Sequence, residues 1–207
     1  MIKSLILAGG KERYHDVLLA AETLQKILTE KDILSSYSQD FSILEEEERL
    51  KNYDLIIFYT QEKILSLEEQ QGLEDYIKKG HGFIALHASN VFNGEKQQEK
   101  YQSLIGNKFL RHDPFKRFQI ETADNHFITE SIENFAIDDE LYESQLLCEP
   151  DNIVAWTFNN DEKHAMLYTR KIGSGKICYL APGHDGRAWY NPGFQNLLYR
   201  SILWAVK

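Results

Sequence analysis

The feature of the sequence that most restricts the fold is a short apolar run, Phe83–Leu86, placed between Gly82 and His87. Four residues are too few for a helix, and an unbroken apolar run of this length is typical of a strand buried on both faces of a parallel sheet. Ligands of open α/β sheets bind beyond the carboxyl ends of such strands. His87 is therefore the first candidate residue for a functional site, and Ser89 lies two positions beyond it.

The first ninety residues alternate between predicted strands and predicted helices. The strands are predicted at Ser4–Ala8, Asp32–Tyr37, Tyr53–Tyr59 and Phe83–Leu86. One helix has Asp16 as its predicted N-cap, and a second extends from the capping box at Ser66 to Gly80. Strands that alternate with helices in this way form crossover βαβ units. The sequence therefore predicts an α/β fold, with a mainly parallel central sheet between two layers of helices.

The pattern is less regular after Asn90. The predicted elements are a helix at Gln97–Ile105, a loop at Phe109–Pro114, strands at Phe118–Thr122, Ile153–Phe158, Ala165–Arg170 and Gly175–Leu180, and a closing helix at Phe194–Val206. Gly173–Gly175 is typical of a hairpin turn. We expect a β-rich insertion between about Arg117 and Arg170, inside a single domain that covers residues 1–207.

Composition argues against several classes of protein. The formal net charge of −9 is unfavourable for binding nucleic-acid phosphates. No apolar segment reaches the roughly 18 residues of a membrane-spanning helix, and the short N-terminal run lacks the features of a signal peptide. The two cysteines, Cys148 and Cys178, allow at most one disulfide. A cytoplasmic protein fits these observations, and they leave open whether it forms a homo-oligomer.

Several histidines follow strand ends or lie in the long loops expected beside them. They are His15, His87, His112 and His184, and His126 lies in a second loop. A single histidine is better interpreted as a structural, hydrogen-bonded residue. When four histidines are expected at one edge of a sheet, a functional site is supported as well as a structural role is. Neutral imidazole is a common ligand of zinc, so a divalent metal could bind there, although no compact His-Glu-x-x-His signature is present.

Other side chains near these histidines extend the hypothesis. Asp113, Asp139, Glu140 and Asp185 are candidate carboxylates for proton transfer or for orienting a histidine. In the structural interpretation, Asp139 and Glu140 only begin a short helix. Arg187 and Trp189 would suit a hydroxyl-rich ligand, although Trp189 could equally pack on the last helix. Ser89 could act as a nucleophile with His184 as its base, but no glycine-flanked elbow surrounds it.

Six segments together resemble one known family. They are Tyr14–Asp16, Gly82–His87, Phe109–Pro114, His126–Thr129, Asp139–Tyr142, and Gly183–Asp185 with the terminal Leu203–Ala205. This set resembles the ThuA-like (trehalose utilisation) family, of the class I glutamine amidotransferase-like, flavodoxin-type superfold. The resemblance implies a flavodoxin-like three-layer sandwich and a role in sugar or keto-sugar metabolism. Phe127 stands where the family usually has proline, and the amidotransferase cysteine is absent, so glutaminase activity is not expected.

These inferences combine into one leading hypothesis, a cytoplasmic enzyme that acts on a saccharide or keto-sugar. The expected metal ligands are His87, His112 and His184, with zinc as an example of the ion, and the expected catalytic residues are His87, His184 and Glu140. The residues expected to bind substrate are Tyr14, His15, Ser89, His126, Tyr142, Arg187 and Trp189. The alternatives are a non-catalytic carbohydrate-binding or regulatory domain and a hydrolase that uses Ser89.

Overall fold

The apolar runs of the sequence form the centre of one large sheet. In the computed structural model, which describes residues 1–11, 14–92 and 98–207, the strands of this sheet follow the order β2-β1-β3-β4-β11-β10-β9-β6-β7. Their bounds are β1 Lys3–Gly10, β2 Leu34–Ser38, β3 Leu55–Gln61, β4 Gly82–Leu86, β6 Lys116–Thr122, β7 Phe135–Asp139, β9 Asn152–Asn159, β10 Glu162–Ile172 and β11 Gly175–Leu180. A separate pair is formed by β5 Asn107–His112 and β8 Tyr142–Leu146.

Five neighbouring strands of this sheet pair in parallel, in the spatial order β2, β1, β3, β4 and β11. Their order has the flavodoxin-type pattern, in which the chain crosses from one side of the first strand to the other. Every residue of β3 and β4 is buried, which agrees with the expectation from their unbroken apolar sequences. The predicted α/β fold is therefore confirmed.

Helices flank the sheet. They are α1 Val17–Thr29, α2 Glu47–Leu50, α3 Leu67–Lys78, α4 Glu99–Ile105, α5 Gly186–Trp189 and α6 Pro192–Ala205, with short 3₁₀ turns at Phe41–Glu45 and His87–Asn90. Asp16 and Ser66 cap α1 and α3 as predicted, and Ser66 forms a complete capping box with Glu69. Within the part of the chain that the structure describes, no helix is long and apolar enough to cross a membrane.

The β-rich region begins earlier than predicted. The segment Phe109–Pro114, expected to be a loop, lies largely in β5, because its backbone pairs with β8 through a register shift between Phe109 and Arg111. Asp139 ends β7, so it does not begin a helix. The described part of the next helix starts at Glu99, and the predicted start at Gln97 lies outside the described residues, as do Glu12 and Arg13 of the first predicted loop.

An antiparallel extension completes the sheet. Strands β11, β10 and β9 pair in sequence, and β6 joins β9 through two residue pairs, Glu121 with Trp156 and Thr122 with Ala155. The hairpin of β6 and β7 then brings β7 into contact with α5. This arrangement delivers Glu140, which directly follows β7, to the carboxyl edge of the parallel strands.

Candidate metal centre

Four side chains from distant parts of the chain converge at the carboxyl edge of the parallel strands. His15 follows β1, His87 follows β4, Glu140 follows β7 and His184 follows β11. Each offers one ligand atom, and these atoms all lie within 4.8 Å of one another. The ring centroid of His15 lies 4.9 Å from that of His87 and 4.6 Å from that of His184. The group therefore has the size and the donor types of a metal site.

His87 is fully buried, and its surroundings fix its tautomer. Its Nδ1–H donates to the carbonyl oxygen of Ala181 at 2.8 Å, so the lone pair lies on Nε2. That Nε2 is buried and has no hydrogen-bond partner among the described residues. It lies 3.6 Å from Oε2 of Glu140. A buried acceptor left unpaired costs about 1–3 kcal/mol, and here it faces an acidic side chain instead of a donor.

The backbone of His87 is also unusual. Its φ of 48° lies in the left-handed region, which non-glycine residues rarely occupy. The hydroxyl of Tyr179 donates to the His87 carbonyl oxygen at 3.0 Å and helps to hold this conformation. Strained residues of this kind concentrate at functional sites, where the surrounding structure enforces them.

His15 is held with its lone pair directed at the same point. Its Nδ1–H donates to Oε1 of Gln61, the last residue of β3, at 2.7 Å. Burial, followed by the proximity of the His87 ring, lowers the pKa of His15 to about 4, although the bond to Gln61 opposes this. The imidazole is therefore neutral near pH 7, which is the form that binds a metal.

His184 completes the histidine cluster. Its Nδ1 lies 3.1 Å from Nε2 of His15 and 3.1 Å from Oε2 of Glu140. Burial opposes protonation of His184, but the hydrogen bond with Glu140 and the charges of the nearby carboxylates together outweigh burial and raise the pKa of the imidazole. A proton on His184 Nδ1 thus lies between a nitrogen lone pair and a carboxylate. A metal cation at this point would take its place.

The backbone of His184 is fixed from two sides. The fully buried carboxylate of Asp139 accepts from the backbone N–H of Gly183 at 2.7 Å and of His184 at 3.3 Å. The hydroxyl of Tyr59 donates to the carbonyl oxygens of the same two residues at 3.0 and 3.1 Å. These contacts orient His184 as a candidate metal ligand, whereas Asp139 and Tyr59 are not themselves members of the close group. Two features of the sequence could have indicated these groups. They are the polar end of the apolar run that contains Tyr59 and the carboxylate of Asp139, directly before Glu140.

Glu140 supplies the negative charge. Burial alone would raise its pKa, but the interactions with the neighbouring imidazoles, of which His184 at 3.1 Å is the nearest, hold the pKa far below its usual range. Glu140 is therefore a carboxylate at neutral pH. Two imidazole lone pairs and a carboxylate that face one point suit a divalent cation, and the second nitrogens of His15 and His87 donate to oxygens as metal-bound histidines do.

His112 lies at the edge of this centre and not within it. Its Nδ1 is 2.9 Å from the Asp113 carbonyl oxygen and 3.7 Å from Oε1 of Glu140. The ring stacks on Tyr142, which also contacts His87 at a centroid distance of 4.2 Å. His112 was one of three expected metal ligands. The close group of ligand atoms does not include it, and instead includes His15 and Glu140 beside His87 and His184.

Two predicted substrate-binding residues do not face the centre. The hydroxyl of Ser89 is fully buried, donates to the carbonyl oxygens of Leu86 and Phe58 at 2.7 and 3.1 Å, and accepts from the Thr60 N–H at 3.2 Å. This hydroxyl connects β3 to the turn after β4, so the proposed roles of Ser89 in binding and as a nucleophile are corrected to a structural one.

His126 is the second correction. It lies in the loop between β6 and β7, where its Nδ1 accepts from the Ile128 N–H at 3.2 Å and its ring faces Trp204 at a centroid distance of 6.2 Å. That loop lines a separate, wide depression, formed by residues 122–127 and 129–133. His126 therefore does not contribute to the histidine cluster.

The remaining predicted residues lie around His184. Tyr14 and Trp189 line a cavity of about 150 Å³ that also includes His184. Arg187 pairs with Asp185 at 2.6 Å, and its guanidinium stacks over the ring of Phe115 at 3.3 Å. The Phe115 ring in turn lies 6.0 Å from the ring of His184. Arg187 thus forms part of the rim, with its charge balanced by Asp185.

Comparison with known proteins identifies the family. The family model of ThuA, described as trehalose utilisation, matches residues 3–205. This chain belongs to the ThuA family. No curated protein matches it.

Solved structures support the ThuA assignment at the level of the fold. A putative ThuA-like protein from Parabacteroides merdae is 17% identical with a TM-score of 0.85, over 100% of this chain and 90% of that one. A putative ThuA-like protein from Bacteroides uniformis is 19% identical with a TM-score of 0.80, over 98% and 90%. A cytoplasmic protein from Salmonella typhimurium is 14% identical with a TM-score of 0.70, over 99% of both chains. At these identities the likeness concerns the fold alone.

Proposed function

We propose that this member of the ThuA family is a metal-dependent enzyme that acts on a sugar or keto-sugar. In this proposal His15, His87 and His184 hold a divalent cation such as zinc, and Glu140 balances its charge. The observation that carries the proposal is the buried, unpaired Nε2 of His87, which lies 3.6 Å from the Glu140 carboxylate. A lone pair and an anion at this separation repel each other, and a bound cation converts the repulsion into two favourable contacts.

A divalent cation at such a site polarises a carbonyl oxygen or lowers the pKa of a bound water. The chain's own groups would prepare the site for this chemistry. Gln61 and the Ala181 carbonyl keep His15 and His87 in the tautomers that direct their Nε2 lone pairs to the centre. Because its pKa is strongly lowered, Glu140 serves better as an anionic ligand than as a proton acceptor.

The proposal that the substrate is a sugar rests on different observations from the proposal of a metal. The family description is trehalose utilisation, and aromatic and polar side chains border the cluster at Tyr142, Phe115 and Arg187. A cytoplasmic location is proposed because the similar Salmonella protein is described as cytoplasmic. A non-catalytic sugar-binding domain would retain the same cluster without turnover, so the assay must measure both metal and reaction.

The test is the metal content of the purified full chain, measured by elemental analysis after incubation with zinc, manganese or nickel and removal of free ion. We expect about one ion per chain in the parent. His15→Ala and His184→Ala should lose the ion, and His126→Ala is the matched control because this histidine lies outside the cluster. Retention of the ion in both cluster variants, or a parent that takes up none of these metals, contradicts the proposal. Turnover of a keto-sugar by the loaded parent separates the enzyme from the binding domain.

A further inference from the structure

The cavity beside His184 has features that the metal centre does not use. We call it the aromatic slot, and its walls come from the start of α1 and from α5. The lining residues are Tyr14, Asp16, Leu19, Ala20, Thr23, His184, Asp185, Gly186, Trp189 and Tyr190. His184 therefore belongs both to the slot and to the metal centre, so the two spaces share a wall.

One wall of the slot is rigid. Trp189 is only 2% exposed, and its ring packs edge-on against Tyr59 at 5.5 Å and Phe194 at 5.3 Å. The other walls are open to solvent, because Leu19 is 59% and Tyr190 is 62% exposed. Large apolar side chains exposed around a concave surface are typical of binding sites.

Several polar groups of the slot already form local bonds, namely the Asp185 carboxylate, the Thr23 hydroxyl and one oxygen of the Asp16 carboxylate. Asp16 Oδ1 accepts from the Leu19 N–H at 2.9 Å, and the Thr23 hydroxyl donates to the Leu19 carbonyl oxygen at 2.7 Å. The Asp185 carboxylate is paired with Arg187 at 2.6 Å. A ligand with many hydroxyls needs partners for them when it is buried. The slot is therefore better suited to an apolar group than to a second hydroxyl-rich ring.

The volume limits the occupant further. At about 150 Å³ the slot is smaller than the roughly 300–1,000 Å³ of sites that enclose a whole drug-sized ligand. It accommodates one ring and not a whole glycoside, so the remainder of any such ligand must lie outside the slot.

We infer that the aromatic slot binds a planar apolar ring carried by the substrate, so that the preferred substrate is a glycoside with an aromatic or similar hydrophobic substituent and not a free sugar. The inference rests on the proposed function for the polar end of the substrate. The slot itself is formed by protein side chains, and its affinity for an apolar ring is independent of the ion.

The experiment compares phenyl β-glucoside, methyl β-glucoside and phenol, titrated into the full chain by calorimetry with zinc present and after chelation. We expect phenyl β-glucoside to bind about tenfold more tightly than methyl β-glucoside, because only the former fills the slot. Phenol should bind the chelated protein as well as the zinc-loaded protein.

Two neighbouring leucines provide a matched pair of variants. Leu19→Ala removes a wall of the slot, whereas Leu18→Ala changes the same residue type at the next position of α1, outside the slot. Leu19→Ala should weaken binding of the phenyl compounds by about fivefold and leave methyl β-glucoside unchanged. Ala20→Leu, which adds volume inside the slot, should act in the same direction.

The result that overturns the inference is equal affinity for the two glucosides in the parent, or an equal loss for Leu18→Ala and Leu19→Ala. Failure of the proposed function has a different signature. A protein that takes up no metal but still binds phenol in a Leu19-dependent manner retains the slot and refutes the metal centre.

Discussion

Removal of one histidine should remove most of the stabilisation that a metal gives, and linkage between binding and folding sets the size of the loss. A ligand that binds only the folded state at about 100 times its dissociation constant stabilises it by about 2.7 kcal/mol. For a chain of this length, that corresponds to a rise in the melting temperature of about 5–11 °C. His184→Ala removes one of four converging donors. If binding weakens by about 100-fold, the same metal concentration gives only about 0.4 kcal/mol, or about 1–2 °C.

The assay is thermal unfolding of the parent and the variant, each with and without the ion. The metal-free melting temperature of His184→Ala will also shift, because the variant loses the 3.1 Å contact with Glu140. The difference between the two conditions cancels this effect, and His184 is preferable to His87 because the fully buried ring of His87 leaves a cavity. His126→Ala should keep the full gain. A gain in His184→Ala equal to that of the parent refutes the assignment of the centre.

Three further predictions follow from individual contacts. In the metal-free protein, the pKa of His15 is lower in the folded state than in the unfolded state, so the unfolded state binds the proton first as the pH falls. The free energy of unfolding should therefore decrease by up to about 3 kcal/mol between pH 6.5 and about 4. Urea titrations of His15→Gln should show a weaker dependence of this free energy on pH in the same range. Ser89→Ala should lower the free energy of unfolding by about 1–3 kcal/mol in urea titrations while metal uptake is unchanged, and loss of metal with normal stability would contradict the structural role. Asp139→Ala should weaken metal binding by about 10–100-fold, measured by competition with a chelator, because the backbone of Gly183 and His184 loses its acceptor. Unchanged affinity would show that Tyr59 alone holds this backbone.

The fold was predictable where local pattern and tertiary context agree. The apolar runs that became β3 and β4 are buried along their whole length, and the caps at Asp16 and Ser66 form the expected bonds. The β5 strand was missed, because its polar sequence carries no alternation and its pairing with β8 depends on residues thirty or more positions away. Pairing between such distant segments is not visible in local periodicity.

The candidate site was predictable only in part for the same reason. His87 and His184 follow buried parallel strands, so their shared edge could be inferred from the order of elements. The inclusion of Glu140 in the close group depends on the antiparallel hairpin of β6 and β7, which no local signal places at that edge. His112 and Ser89 were included in the predicted site because of their positions in the sequence. Those positions do not determine the direction or the hydrogen bonds of their side chains.

The state of His87 favours a functional over a structural explanation. His164 also has a buried, unpaired Nε2, but it lacks the left-handed backbone conformation, so the combination of the two features is what distinguishes His87. Here one buried residue combines an unpaired Nε2 with a φ of 48°, and each feature costs about 1–3 kcal/mol of a total stability of about 5–15 kcal/mol. Tyr179 and the Ala181 carbonyl hold the ring in place despite this cost. The unpaired nitrogen faces Glu140, so a cation at this point removes one of the two penalties, and the rigid surroundings mean that binding it requires little further ordering.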